Sequence, residues 1–232
     1  MKILGMIGGT GPESTAEYYR RLIAAYHARV SESGAPPIIL NSIDNKNLVK
    51  WFTAGEHVPV INFLASEIDR LAFAGADFGL IAAVTPHLVF DELQERARIP
   101  LLSIIEATAD AAAAAHLRRL ALFGTRFTMQ AALFPRVFEQ RGMTIVVPNE
   151  EEQTFIHSKY MDELFVGAIL NETRAALVDI VETMKRRNNI DGLILGGTEL
   201  SLILREPTAA DLPVLDTTQI HVEAAIEWMQ RE

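Results

Sequence analysis

Residues 190–200, IDGLILGGTEL, constrain the fold more than any other stretch of the chain. An apolar run ends in two glycines, and Thr198 and Glu199 follow at once. The pattern predicts a buried strand stopping at Gly196 and a helix starting near Thr198. Residues 79–87, GLIAAVTPH, have the same grammar: an apolar run closed by small residues, then Thr85 and, two places on, His87. At the C-terminal edge of such strands an α/β fold gathers backbone N–H groups, hydroxyls and helix N-termini, which suit an anionic ligand. Either stretch alone also reads as an ordinary strand-to-helix turn with an N-capping threonine. Taken together they favour a site of which the two strand ends are opposite walls.

The rest of the chain repeats this alternation. Residues 2–7 predict a strand, residues 8–12 (GGTGP) a glycine-rich loop, and residues 13–30 a helix buried along Tyr18, Leu22, Ile23, Tyr26 and Val30. Gly9 permits close backbone approach to a ligand, and Thr10 adds a hydroxyl beside it. A full dinucleotide fingerprint would need a third glycine where Glu13 and Ser14 stand. Further strands are predicted at 38–43, 100–104, 120–123, 145–147 and 214–216. The intervening helices fall at 58–74, 87–97, 106–116, 127–141, 153–166, 172–187 and 219–229. Asp44 to Asn47 reads as a polar loop, in which Lys46, with Lys50 beyond it, either meets an acidic substrate or is simply solvated.

Two landmarks recur at nearly one spacing: Thr10 and Thr125 are 115 residues apart, and Thr85 and Thr198 are 113 apart. This suggests a duplicated α/β unit. Eight strands alternating with helices also fit a (β/α)₈ barrel, but the duplication favours two Rossmann-like lobes with parallel sheets, one formed by residues 1–105 with 207–232 and the other by 106–206. In that arrangement the strand ends face a common cleft, reached by Gly8, Gly9, Thr10, Thr85, Thr125 and Thr198.

Composition narrows the chemistry. The 232 residues carry 21 Lys plus Arg against 30 Asp plus Glu, a formal charge of −9 without a basic stripe, which argues against nucleic acid and anionic membrane as partners. The cluster at Lys185, Arg186 and Arg187 falls at a predicted helix end, where cations complement the dipole. No apolar run approaches the roughly 20 residues needed to cross a bilayer, and no signal-peptide pattern opens the chain, so a cytoplasmic protein is expected. There is no cysteine, which excludes disulfides, thiolate metal sites and thiol-based catalysis.

Six segments together carry a resemblance. They are GGTGPEST with Tyr18 and Tyr19, AAVTPH at 82–87, LFGTRFTM at 122–129, MDEL with Gly167, LGGTEL at 195–200 and DTTQIH at 216–221. In this order the chain resembles the aspartate/glutamate racemase superfamily of PLP-independent amino-acid racemases along nearly its whole length. The resemblance implies two lobes related by a pseudo-twofold axis, a site between them, a homodimer and no cofactor; no metal is expected. It also implies a cysteine in each wall motif, one removing the α-proton and the other supplying a proton from the opposite face. Here those positions are Ala83 and Gly197, and Val84 stands where an amide is usual. A two-thiol route is therefore closed.

What remains is a pocket for a small-molecule carboxylate, with an acidic amino acid or small dicarboxylate expected on Thr10, Thr85, Thr125, Thr128 and Thr198. The relatives' basic residue after the second strand has no clean counterpart; Asn47 lies near its place. Three functions compete. An isomerase that has replaced its thiols would draw on His87, Glu199 or Asp44, of which His87 has the intrinsic pKa best suited to neutral pH, unless it only packs the following helix. A lyase, decarboxylase or hydrolase on the same scaffold would rely on hydrogen bonds more than on a base. A binding homologue would convert nothing.

Overall fold

The structure, a computed structural model, describes residues 1–30 and 34–231. The chain divides into two compact units, residues 1–103 together with those from His221 onward, and Ile104–Ile220.

In the first unit β1 (Leu4–Gly8) leads through the glycine loop into α1 (Pro12–Arg29), then β2 (Ile38–Ser42), α2 (Lys46–Ala54), α3 (His57–Phe73), β3 (Phe78–Ile81) and α4 (Phe90–Arg96). The three strands form a parallel sheet in the order β2-β1-β3. One face packs on Leu64, Ile68 and Leu71 of α3 with Val89 and Leu93. The other packs on Tyr18 and Leu22 of α1 and on Val222, Ala225, Ile226 and Met229 near the C-terminus. Layers on both faces explain why β1 is buried at all five positions and reads as an unbroken apolar run.

The second unit runs α5 (Ile104–Ala114), β4 (Arg119–Phe123), α6 (Arg126–Gln130), α7 (Leu133–Glu139), β5 (Thr144–Val146), α8 (Glu150–Asp162), α9 (Asn171–Asn188), β6 (Gly192–Leu195), α10 (Leu200–Ile203), β7 (Thr208–Ala209), β8 (Leu212–Asp216) and the start of α11 (Thr217–Gln230). Its strand order is β5-β4-β6-β8-β7, parallel except for the β7–β8 pair. The order β5-β4-β6 repeats β2-β1-β3: in each unit the first strand is flanked by the second and the third. Thr10 and Thr125 accordingly follow equivalent strands, β1 and β4, as Thr85 and Thr198 follow β3 and β6. Two separate sheets replace the barrel alternative.

Several elements differ from the sequence pattern. Residues 100–104 make no strand, only a bridge from Leu101 to Gly79. Pro100 has no N–H, and the N–H of Leu101 is taken by the Gln94 side chain. The helix expected over 127–141 breaks into α6 and α7. Pro135 lies in the first turn of α7, where its missing N–H costs nothing, whereas a continuous helix would drive its ring into the carbonyl of residue 131. Residues 87–97 open with a 3₁₀ turn, Thr85–Val89, before α4. The helix after β6 begins at Leu200, not Thr198. The polar loop at 44–47 ends in α2, which closes at Gly55 with φ 69. Residues 207–220, grouped by the sequence pattern with the first lobe, belong to the second unit, because β8 pairs with β6 in parallel register.

Candidate functional site

In the first unit, β1 ends at Gly8 and the chain turns at Gly9, whose φ is 82. A Cβ on Gly9 would lie 2.2 Å from the carbonyl oxygen of Ile43, so both its angle and its space require glycine. The N–H of Gly9 is already committed to Thr15 Oγ1 at 2.8 Å. The loop is pinned again where Asn45 donates to the carbonyl of Thr10 at 2.6 Å. The hydroxyl of Thr10, by contrast, is buried and has no hydrogen-bond partner among the described residues. A buried hydroxyl of this kind calls for an acceptor.

At the end of β3, Val84 is buried and Thr85 begins the 3₁₀ turn without capping it. His87 points inward at 1% exposure, donates from Nδ1 to the carbonyl of Ala83 at 3.0 Å, and stacks on Phe90 with ring centroids 5.0 Å apart. Its ring also meets His221 edge-on at 6.2 Å. His221 is fully buried and its tautomer follows from its neighbours: Nε2 faces the Leu102 carbonyl at 3.0 Å and must carry the proton, so Nδ1 accepts from the Tyr18 hydroxyl at 3.0 Å. Burial lowers the pKa of His87 to about 4. Burial, and then the nearby His87, lower that of His221 to about 3. Both imidazoles are neutral at pH 7, so His87 holds no imidazolium proton to deliver and is a weak base. Its visible work is to lock the turn after β3.

In the second unit, β4 and β6 end close together. A Cβ on Gly196 would lie 2.9 Å from the Phe123 carbonyl, and one on Gly124 3.0 Å from the Gly196 carbonyl. Thr125 caps α6 by accepting from the Thr128 N–H at 3.3 Å, and the two hydroxyls are 3.2 Å apart. Thr217 Oγ1 donates to the Leu195 carbonyl at 2.7 Å. Thr198 does not cap; its hydroxyl donates to Glu199 at 2.7 Å.

Glu199 also accepts from the phenol of Tyr160, a residue that the sequence does not single out. Tyr160 projects from α8 beside Gly197. A Cβ on Gly197 would lie 2.6 Å from Cε2, 2.8 Å from Oη and 3.0 Å from Cζ of Tyr160. The aromatic ring thus takes the space of a side chain at position 197. Burial first, and then the charge of Glu199, push the phenol well above its ordinary range, so it stays protonated. Helix α8 is held firmly: Asn149 and Glu152 form a capping box, and Glu152 pairs with Arg187 of α9.

Of the residues predicted for the site, Thr125 and Thr128 touch each other in the second unit, as do Thr198 and Glu199. Gly9 and Thr10 share the β1 loop of the first unit, and Ala83, Val84, Thr85 and His87 share the turn after β3. Among the described residues no group of three or more His, Asp and Glu side chains comes together as a metal site. No helix among them is long and apolar enough to cross a membrane. Tyr160 carries no local signal, since it meets Glu199 across 39 residues of sequence.

The Asp/Glu/Hydantoin racemase family model matches residues 7–225. The broad specificity amino-acid racemase RacX of Bacillus subtilis (strain 168) is 20% identical over 224 residues, covering 93% of each chain. An aspartate racemase homologue from Pyrococcus horikoshii OT3 has a crystal structure that superposes with a TM-score of 0.88 at 33% identity over 100% of both chains. The aspartate racemase of Picrophilus torridus shares the fold at a TM-score of 0.77, with 22% identity over 100% of this chain and 96% of its own.

Proposed function

Because the chain belongs to the Asp/Glu/Hydantoin racemase family, we propose that it is a cofactor-independent amino-acid isomerase. In this reading it labilises the C–H bond beside the carboxylate of an acidic amino acid or small dicarboxylate. The observation that carries the ligand class is the buried, unpartnered hydroxyl of Thr10 at the end of β1. A carboxylate oxygen satisfies such a donor; Thr125 and Thr128 follow β4, the equivalent of Thr10's strand, and Thr85 and Thr198 follow the equivalent pair β3 and β6. Ala83 and Gly197 hold no proton, so the thiol pair of the family is not the route. Val84 and Gly9 shape the ligand's surroundings rather than exchange protons with it.

A second reading, binding without conversion, is favoured by the same two inert positions and by the neutral, buried His87. Incubation in D₂O with L-aspartate, L-glutamate and a panel of other amino acids decides between them. The isomerase reading expects deuterium at the α-carbon of at least one; binding with no incorporation at high protein concentration selects the second. A homodimer in the cytoplasm, where free amino acids are metabolised, completes the proposal. The assembly is read out by size-exclusion chromatography with light scattering, and the location by cell fractionation.

A further inference from the structure

We propose that Tyr160 and Glu199 form a one-sided proton relay, in which the Tyr160 phenol meets the ligand's reacting carbon and Glu199 takes and returns the proton through it. The proposal rests on the isomerase reading above and names the group that does its chemistry. Three observations carry it. First, the phenolic oxygen lies 2.8 Å from the Cβ position of residue 197, just past the end of the central strand β6, where α/β folds present groups to ligands. Second, the phenol donates to a buried carboxylate, which also accepts from Thr198, so donor and acceptor are linked at one strand end. Third, the Tyr160 side chain is buried and bonded to Glu199, so the phenol is held in one position.

The step balances without a phenolate. The ligand's C–H bond breaks and its proton joins Tyr160 Oη while the phenolic proton passes to Glu199 Oε2. The C–H electron pair stays on the ligand as an enediolate, and the Glu199 carboxylate becomes a carboxylic acid. Once the Tyr160 and Glu199 protons have exchanged with solvent, the reverse transfer delivers a solvent hydrogen to the same face, and inversion follows only when water protonates the opposite face of the enediolate. Because burial and the charge of Glu199 oppose ionisation of the phenol, a relay that keeps it neutral is the route open to it. Glu199 acts through Tyr160 and is a positioning residue and proton store, not a group touching the ligand.

The test compares the full-length protein with Tyr160→Phe, Glu199→Gln and the double variant, in D₂O with L-aspartate and L-glutamate. Proton NMR follows α-exchange and thermal shift follows binding. The relay predicts that each single variant exchanges roughly 100-fold or more slowly with binding retained. It also predicts that the double variant is no slower than either single one, as expected of groups acting as a unit. A tyrosine that merely fills space tolerates loss of its oxygen: exchange by Tyr160→Phe within threefold of the parent overturns the relay and leaves the isomerase reading standing. A parent protein that exchanges neither these acids nor any amino acid of the wider panel overturns the isomerase reading, and the relay with it. If a variant fails to fold, ¹³Cζ-labelled tyrosine in the parent replaces it, with the four tyrosines assigned by substituting the other three. A Tyr160 resonance that moves on saturation with L-aspartate supports the relay, and one that stays still while L-aspartate binds overturns it.

Discussion

Tyr160 and Gly197 are complementary in shape: the phenol ring of one occupies the volume that a side chain on the other would need. Gly197 is not among the glycines with positive φ, so its backbone admits a side chain and the ring is the obstacle. Gly197→Cys alone is therefore expected to destabilise the protein by about 1–3 kcal/mol through overpacking. Tyr160→Gly destabilises the protein on its own by emptying buried volume, but in its background Gly197→Cys should cost much less. Urea unfolding of the two single variants and the double variant measures the coupling.

The buried histidine pair makes stability sensitive to acid. His87 and His221 have folded pKa values of about 4 and about 3, below the ordinary 6.5. The unfolded chain takes up protons near pH 6.5 that the native protein refuses, so the stabilisation is complete above that pH and is lost as pH falls toward 3. His87 alone accounts for about 3 kcal/mol across this window. Urea midpoints between pH 7 and 4 should fall steeply, and His87→Gln should flatten the slope.

Tyr18 orients His221 from α1. Tyr18→Phe leaves the imidazole Nδ1 buried without the donor it accepts from, at an expected cost of about 1–3 kcal/mol. A shift of the thermal midpoint downward, with native circular dichroism retained, is the outcome that checks it.

Thr10→Val removes the one hydroxyl of the β1 loop that lacks a partner. Because no described residue bonds to it, stability should change little, while aspartate binding should weaken roughly tenfold or more through loss of a charge-assisted hydrogen bond. Calorimetric titration of both proteins separates the two effects.

Much of this fold was legible because strands buried on both faces read as unbroken apolar runs and because the unit repeats. LGMIG in β1 and GLIL in β6 are buried throughout, and the spacings of Thr10 to Thr125 and of Thr85 to Thr198 carry the duplication. The failures have local causes. Pro100 and Pro135 carry information that periodicity ignores, and β8 joins the second sheet by a pairing with β6 that no spacing encodes. At the site, the glycine loop and the threonines were visible as turn chemistry. Tyr160 was not, because a side chain filling the place of another residue is a property of packing between distant segments.

Proton transfer through the Tyr160 phenol alone acts on one face of the ligand. It is tested most directly by comparing two rates in D₂O, α-deuterium incorporation and inversion, for the amino acid that exchanges fastest. Deuterium is expected to enter the starting enantiomer well before the opposite enantiomer accumulates, since the proton leaves and returns on one face. An opposite enantiomer that appears as fast as deuterium is incorporated would contradict it, because that outcome requires a second proton-transfer group on the other face.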